Sequence, residues 1–206
     1  MTDEPVAVYV VDDDPGVLKA VSRLLRAEGL CVFAYNSANE FLAVCHGALR
    51  GCLVLDVAMP GLDGLELQRT LADNDCQLPI VFLTGHGDIP MTVRAMKFGA
   101  ADFLSKPVDD TTLLAAIREA MARDAADEHS REEQADIRAR LATLTPRERE
   151  VLEHVVAGEM NKNIAADLGT VEKTIKVHRA RVMEKMRVQS LAELVRLAER
   201  AGVRVR

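Results

Sequence analysis

Several polar side chains that could act together chemically follow apolar runs in the first half of the 206-residue sequence. They are Asp12, Asp13, Asp14, Asp56, Thr84 and Lys106. Crowded carboxylates repel one another and need a cation or protons to coexist, and Mg2+ prefers such oxygen ligands. A carboxylate beside Mg2+ can attack phosphorus to form an acyl phosphate. A lysine and a hydroxyl could then hold the phosphoryl oxygens.

These side chains can meet only if the runs that precede them form neighbouring strands. The runs are short and continuously apolar, which is typical of strands covered on both faces. They are Val6–Val11, Cys31–Tyr35, Gly51–Leu55, Leu78–Leu83 and Ala101–Leu104. Segments with helical spacing separate them. The pattern predicts an α/β fold with a doubly wound, five-stranded parallel sheet, in which ligands bind at the carboxyl ends of the strands.

The charge is divided unevenly along the chain. The formal net charge of −6 argues, as an average, against a nucleic-acid partner. Residues 1–122 carry 17 acids and 9 bases, residues 123–140 carry 6 and 4, and residues 141–206 carry 9 and 13. An acidic first part and a basic last part predict two surfaces with different partners.

The middle stretch has helix-forming residues but almost no apolar ones. Ile137 is its one large apolar residue, and it contains neither glycine nor proline. It therefore cannot bury a core of its own and is expected to form a solvated helical linker. We divide the chain into a first domain at 4–122, a linker at 123–140 and a second domain at 141–206.

Composition and cysteine spacing argue against several other classes of protein. A sequence with 49% hydrophobic and 28% charged residues is typical of a folded globular chain. The longest clean apolar run, Val6–Val11, is too short to span a membrane, and the N-terminus lacks the pattern of a secretory signal. The four cysteines have no C-x-x-C spacing, which predicts reduced thiols in a cytoplasmic protein.

The basic last part has start and stop signals for four helices. The helices are expected to begin at Thr145-Pro146, Asn161, Glu172 and Ser190, with Asn161 as the N-cap of the second helix and with Gly158 and Gly169 ending the first two. Two helices joined by a tight turn predict a helix-turn-helix within an all-α four-helix domain. The second helix of that motif enters the major groove of DNA. A basic helix, judged by periodicity alone, is more often a helix with a solvated face than one that binds DNA.

At the strand ends the chain resembles the receiver domain of two-component response regulators, and in particular the FixJ branch. The matching residues are Val11-Asp12-Asp13, Asp56 to Gly64, Thr84-Gly85 and Lys106-Pro107. The resemblance implies a flavodoxin-like receiver in which Asp56 is the phosphoacceptor. Asp12, Asp13, Asp56 and the backbone carbonyl of Ala58 would hold Mg2+. Lys106 and Thr84 would contact the phosphoryl group, Lys106-Pro107 would be a cis bond, and Phe103 would be the switch aromatic residue.

Over about residues 141–203 the chain resembles the LuxR-type DNA-binding domain. The matching residues include Arg147-Glu148, Gly158, Asn161-Lys162, Ile164-Ala165, Thr174, Lys176 and Lys185-Met186. One departure is Val171, which stands where the family usually has a serine N-cap; Thr170 just before it would replace that cap if the helix started one residue earlier. Lys162, Lys173, Arg181 and Lys185 are expected to contact phosphates, and Thr174, Lys176, Val177 and Arg179 to contact bases. Asn161 belongs to the same predicted DNA-binding surface.

Together the two resemblances imply a phosphorylation-controlled transcriptional regulator of the FixJ and NarL type. Its partners would be a sensor histidine kinase and double-stranded DNA, and phosphorylation would favour a homodimer through the helix at Ile89–Phe98 and the elements near Phe103 and Thr111. Two alternatives remain open. One is a phosphatase with an aspartate nucleophile, although Asp56-Val57-Ala58 lacks the second acid of that family's motif. The other is a constitutive DNA-binding protein with a vestigial receiver.

Overall fold

The protein is described by a computed structural model that covers residues 6–45, 49–74, 76–85 and 89–203. Contacts between Cα atoms divide the chain into two compact units, residues 1–127 and 128–206. The first unit contains all five strands. The second unit contains the last part of a long helix and, among the described residues, four further helices after it.

Strands and helices alternate through the first unit. Their bounds are β1 Ala7–Val11, α1 Pro15–Ala27, β2 Val32–Tyr35, α2 Ala38–Val44, β3 Gly51–Leu55, α3 Gly64–Asp73, β4 Ile80–Thr84, α4 Ile89–Lys97, β5 Asp102–Ser105 and α5 Asp110–Ala142. The strands pair in the order β2-β1-β3-β4-β5, and every pairing is parallel. This flavodoxin-like order confirms the predicted doubly wound sheet.

The central strands are apolar along their whole length because helices cover both faces of the sheet. All five residues of β1, β3 and β4 are buried. Alternate residues of β1 divide between two core clusters, with Tyr9 packing beside Phe41 and Leu67, and Val8 beside Leu25 and Ile117. A strand buried on both faces cannot show alternating polarity, so the continuous apolar runs were the correct signal.

Helix α5 includes the whole stretch that was predicted to be a helical linker. It runs from Asp110 to Ala142, beginning before residue 123 and ending after residue 140. Ile117 on its first part is buried against the sheet, while Ile137 and Leu141 on its last part are buried in the core of the second unit. Among the described residues, no helix is both long enough and apolar enough to cross a bilayer.

The second unit contains α6 Pro146–Val156, α7 Asn161–Asp167, α8 Glu172–Lys185 and α9 Leu191–Arg200. Thr145 is the N-cap of α6, as predicted, and forms a capping box with Glu148. On α8 and at its C-cap, Ile175, Val182 and Met186 are fully buried. The four helices and their common core confirm the predicted all-α four-helix domain.

Two helix starts in this unit differ from the sequence expectation. Asn161 was expected to cap α7, but Met160 is the N-cap and Asn161 is the first helical residue. Helix α8 begins at Glu172 after Val171, so Thr170 does not replace the missing serine cap. Neither α7 nor α8 has a side-chain hydrogen bond at its N-cap. Their positions therefore depend on packing of Ile164 and Ile175 rather than on local capping.

Candidate functional site

Three aspartates meet at the carboxyl ends of β1 and β3. Carboxylate oxygens of Asp12, Asp13 and Asp56 all lie within 4.8 Å of one another, and we call this group the acidic cluster. Strands β1 and β3 are paired neighbours, and the Asp56 amide donates to the Val11 carbonyl at 2.9 Å. Asp12 and Asp56 are buried, whereas Asp13 is exposed. The cluster therefore opens to solvent on the side of Asp13.

Asp14 does not belong to this cluster, although it follows the same strand. Its side chain caps α1 by accepting hydrogen bonds from the amides of Gly16 and Val17, at 2.7 and 3.3 Å. Its own amide donates to an Asp12 carboxylate oxygen at 3.0 Å. The run of three aspartates thus divides into two residues of the cluster and one helix cap.

Lys106 brings a positive charge to the acidic cluster. Its ammonium lies 2.6 Å from a carboxylate oxygen of Asp12 and 3.6 Å from one of Asp56. The Lys106–Pro107 peptide bond is cis, as the family resemblance implied, and the Lys106 amide donates to the Thr84 carbonyl at 2.8 Å. Burial raises the pKa of Asp12 above its ordinary value, and the hydrogen bond from Lys106 acts in the opposite direction.

Thr84 lies on β4 and Phe103 lies on β5. In the sheet these two strands come after β3, the strand that leads to Asp56. Thr84 is fully buried and is the last residue of β4. Phe103 is half-buried on β5, where its ring centroid lies 5.8 Å from that of Phe82. Phe103 also packs against the core cluster that contains Met59. A buried hydroxyl and a partly buried ring therefore lie on adjacent strands.

The loop after Asp56 depends on a glycine that the sequence reasoning left without a role. The Gly64 amide donates to the Val57 carbonyl at 3.0 Å, and a Cβ atom on Gly64 would overlap the Asp56 carbonyl oxygen. Gly64 therefore lets helix α3 start directly against the backbone of the cluster. The sequence signal for this role was that Gly64 ends the stretch from Asp56 to Gly64 that resembles the receiver family. Ala58 lies exposed on this loop.

The donor set of the acidic cluster fits a magnesium ion. All three side chains offer carboxylate oxygens, the ligands that Mg2+ prefers, and their oxygens are close enough to share one ion. Three such carboxylates with one ammonium also leave the site rich in negative charge. Both the chemistry and the spacing of these residues therefore match a small divalent cation.

A second candidate site lies on helix α8, which has several exposed basic residues. Lys173, Lys176 and Arg181 are exposed, and so is Val177. Lys176 also lies 3.3 Å from the carboxylate of Glu172 one turn earlier. On the preceding short helix Lys162 is exposed as well. These residues give the helix-turn-helix a positively charged outer surface.

Other predicted DNA-binding residues have partners inside the second unit. The Arg179 guanidinium donates to the Asn161 side chain at 3.2 Å, which joins α8 to the start of α7. The Lys185 ammonium contacts a Glu148 carboxylate oxygen at 2.6 Å and the Thr143 carbonyl at 2.9 Å. Both interactions fix α8 against its neighbours. Thr174 is half-buried on the same helix.

Glu148 is a functional partner that the sequence reasoning did not find. It is buried, closes the capping box of α6 and pairs with Lys185. The hydrogen bond from Lys185, followed by that from the Thr145 amide, lowers the pKa of Glu148 to about 2. The sequence signal was the spacing of Thr145 and Glu148, which is that of a capping box.

The fold and the acidic cluster define a receiver domain, and comparison with known families supports this class. Residues 8–118 match the family described as response regulator receiver domain, and residues 142–198 match that of bacterial regulatory proteins, luxR family. The chain therefore belongs to the response regulators that join a receiver domain to a LuxR-type DNA-binding domain. It is a phosphorylation-controlled regulator of transcription.

Relatives and solved structures agree with this assignment over nearly all of the chain. Nodulation protein W of Bradyrhizobium diazoefficiens is 47% identical over 95% of this chain and 86% of its own length. The transcriptional regulatory protein FixJ of Azorhizobium caulinodans is 46% identical over 97% of this chain and 95% of its own. The solved structure of the response regulator StyR is 46% identical, with a TM-score of 0.88 over 95% of this chain and 99% of its own.

Proposed function

We propose that Asp56 accepts a phosphoryl group from the phosphohistidine of a sensor histidine kinase. The observation that carries this proposal is the position of Asp56 beside two further carboxylates and the Lys106 ammonium, 3.6 Å away. An Asp56 oxygen forms a bond to phosphorus while the bond from phosphorus to the histidine nitrogen breaks. The leaving imidazole takes up a proton. The product is an acyl phosphate on Asp56.

The neighbouring residues bind and orient the transferred group. Asp12, Asp13, Asp56 and the Ala58 carbonyl hold a Mg2+ ion, which when bound supplies positive charge to the carboxylates and phosphoryl oxygens. Lys106 exchanges part of its contact with Asp12 for a phosphoryl oxygen, and the Thr84 hydroxyl donates to another. The same arrangement permits a small phosphodonor to react and water to remove the phosphoryl group later.

Phosphorylation changes the surface around α4 and β5. When Thr84 turns towards the phosphoryl group, Phe103 moves further into the space beside Phe82. Apolar side chains on this side of the receiver are exposed to solvent in the single chain: Ile89 is 80% exposed and Phe98 is 52% exposed. We propose that the rearranged face pairs with a second copy of the protein.

The pairing of two receivers places two LuxR-type domains on one DNA site. Helix α8 enters the major groove, as the recognition helix of a helix-turn-helix does. Lys162, Lys173 and Arg181 contact phosphates, which gives affinity and salt dependence. Thr174, Lys176, Val177 and Arg179 contact base edges near the start of α8. Asn161 positions Arg179 through the hydrogen bond between them, and Lys185 is a phosphate contact that must share its ammonium with Glu148.

The test uses the full-length protein with Mg2+ and acetyl phosphate. We expect a mass gain of one phosphoryl group, a shift towards dimer in sedimentation, and tighter binding to target DNA. Asp56→Asn should lose all three effects. Asp63→Asn is the matched control because Asn also caps helices well, and Asp63 caps α3 outside the acidic cluster.

Two results would overturn the proposal. A mass gain that persists in Asp56→Asn would place the phosphoryl group elsewhere, and DNA binding that ignores phosphorylation would favour a vestigial receiver. Steady hydrolysis of p-nitrophenyl phosphate through many turnovers would favour the phosphatase alternative. Without such turnover the reaction is limited to phosphorylation and dephosphorylation of Asp56.

A further inference from the structure

Two cysteines that are distant in sequence lie in contact in the receiver unit. The sulfur atoms of Cys45 and Cys76 are 3.1 Å apart, and the structure has both residues as free thiols. Neither belongs to the acidic cluster or to the LuxR-type domain. Because 31 positions separate them in the chain, their spacing gave no sign of the contact.

The ends of two helices hold this cysteine pair in place. Cys45 is the C-cap of α2, and its amide donates to the Phe41 carbonyl at 2.9 Å. Cys76 follows α3, and its amide donates to the Leu71 carbonyl at 2.9 Å. Both backbones are thus fixed by hydrogen bonds to buried residues of the core. The two thiols need little movement to reach bonding distance.

The environment of the pair favours a thiolate on Cys76. The hydrogen bond from Cys45 lowers the pKa of Cys76 to about 7, with burial acting against it and the Leu78 amide assisting it. The same hydrogen bond raises the pKa of Cys45. The pair therefore gives up its first proton easily and its second with difficulty. A thiolate with a pKa near neutral pH is the reactive form of cysteine.

Cys76 is only 8% exposed, and it lines a surface groove that is its route to a small reagent. The groove is lined by Cys76, Gln77, Pro79 and Phe98, among other residues. The other two cysteines lie outside this sulfur–sulfur contact. Cys52 is fully buried in β3, and burial raises its pKa to about 12, while Cys31 is exposed on the surface. They provide internal controls.

We propose that Cys45 and Cys76 are a redox modification site whose oxidant is a small peroxide, and that oxidation joins them in an intramolecular disulfide. The Cys76 thiolate attacks hydrogen peroxide, so that a sulfur–oxygen bond forms and the oxygen–oxygen bond breaks. The departing hydroxide takes up the proton that Cys76 had lost and becomes water. Cys76 is now a sulfenic acid.

The Cys45 sulfur then attacks the sulfur of Cys76. The sulfur–sulfur bond forms, the sulfur–oxygen bond breaks, and the oxygen leaves as a second water with the Cys45 proton. Two thiols have lost two electrons and one peroxide has gained them. Disulfides in reducing compartments are mostly transient and redox-sensing, and this one would be reversed by a dithiol.

The disulfide would join the segments that enter β3 and β4. Cys45 precedes β3, whose carboxyl end leads to Asp56, and Cys76 precedes β4, which ends at Thr84. Oxidation therefore constrains the two strands at the end of the sheet opposite to the acidic cluster. The proposal does not rest on phosphorylation of Asp56 and can be tested without Mg2+ or a phosphodonor.

The experiment treats the reduced full-length protein with one equivalent of hydrogen peroxide. The remaining thiols are then labelled with N-ethylmaleimide in denaturant, and the products are analysed by intact mass and peptide mapping. We expect the labelled thiols to fall from four to two and a Cys45–Cys76 cross-linked peptide to appear. The melting temperature should rise, because a disulfide lowers the conformational entropy of the unfolded chain. Dithiothreitol should reverse this rise.

Two variants separate the steps of this reaction. Cys45→Ser should stop it at the sulfenic acid of Cys76, which dimedone traps. Cys31→Ser is the matched control and should still lose two thiols. The proposal is overturned if four thiols remain, if Cys31 is consumed first, or if the disulfide joins two chains.

Discussion

The Lys106 ammonium donates to the Asp12 carboxylate at 2.6 Å, closer than its 3.6 Å approach to Asp56. The same side chain that is proposed to bind the phosphoryl group therefore occupies a carboxylate of the metal site beforehand. Lys106 competes with a cation for Asp12 and assists the reaction at Asp56. The two effects have opposite signs, which makes them separable by mutation.

Lys106→Met should bind Mg2+ more tightly and accept the phosphoryl group more slowly. Removal of one ammonium near the cluster favours a cation by at least about 1 kcal/mol, the value for unit charges 4 Å apart in bulk water, which calorimetric titration with Mg2+ can measure. Loss of a charged donor to the phosphoryl oxygens should slow phosphorylation of Asp56 by about 100-fold. Lys106→Arg is the matched control, because it keeps the charge and should leave Mg2+ affinity nearly unchanged. Equal loss of both properties in Lys106→Met would contradict the assignment.

Mg2+ should stabilise the receiver, and Asp13 should be required for this effect. Binding to the folded state alone contributes about 2.7 kcal/mol at a ligand concentration 100 times the dissociation constant. Asp13→Asn should remove most of the rise in melting temperature that Mg2+ produces. Asp14→Asn should keep it, because Asn caps helices as well as Asp does and Asp14 caps α1. An equal response to Mg2+ in both variants would argue against a site at the acidic cluster.

The second unit should lose stability in acid through Glu148. The pKa of Glu148 is about 2 in the folded protein against an ordinary value of 4.5, so its contribution is complete above pH 4.5 and is lost as the pH falls towards 2. Glu148→Gln should therefore be less stable than the wild type at pH 7, by about 2 kcal/mol, and the difference should shrink below pH 4. Urea unfolding of the full-length protein, followed by helical circular dichroism, measures both. Glu150→Gln is the control, since Glu150 is paired with Arg147 in a more exposed position.

Lys173 and Val177 should affect DNA binding in different ways. Lys173→Ala should weaken binding to all sequences alike and reduce the salt dependence of log K by about one unit, as for a phosphate contact. Val177→Ala should leave the salt dependence unchanged and relax the preference at one base pair. Fluorescence anisotropy at several salt concentrations, with matched and mismatched DNA, distinguishes the two. A change in salt dependence for Val177→Ala would remove it from the base-contacting group.

The sequence predicted which residues meet at one edge of the sheet because the relevant signals are local. Asp12, Asp56 and Lys106 directly follow β1, β3 and β5, and a parallel sheet brings those strand ends together. Asp12, Asp56 and Lys106 could be placed at one edge without knowledge of any contact. The start of α6 was predictable for the same reason, since Thr145 favours the N-cap and Pro146 the first turn of a helix whatever their tertiary contacts.

Contacts between distant segments could not be predicted in this way. The pairing of Lys185 with Glu148 spans 37 positions, and the Cys45–Cys76 contact spans 31. Asn161 has the side chain of a helix cap, yet its amide oxygen accepts from Arg179 instead. In each case the tertiary fold decides between several partners that the local sequence permits.

Gly64 has a consequence for the genetics of this protein. Its Cα faces the Asp56 backbone so closely that any Cβ would overlap the carbonyl oxygen. Every change in the first or second base of a glycine codon adds a side chain or ends the chain, whereas changes in the third base are silent. A random mutagenesis screen for loss of signalling should therefore recover alleles at codon 64, although Gly64 has no chemical role in the phosphorylation reaction.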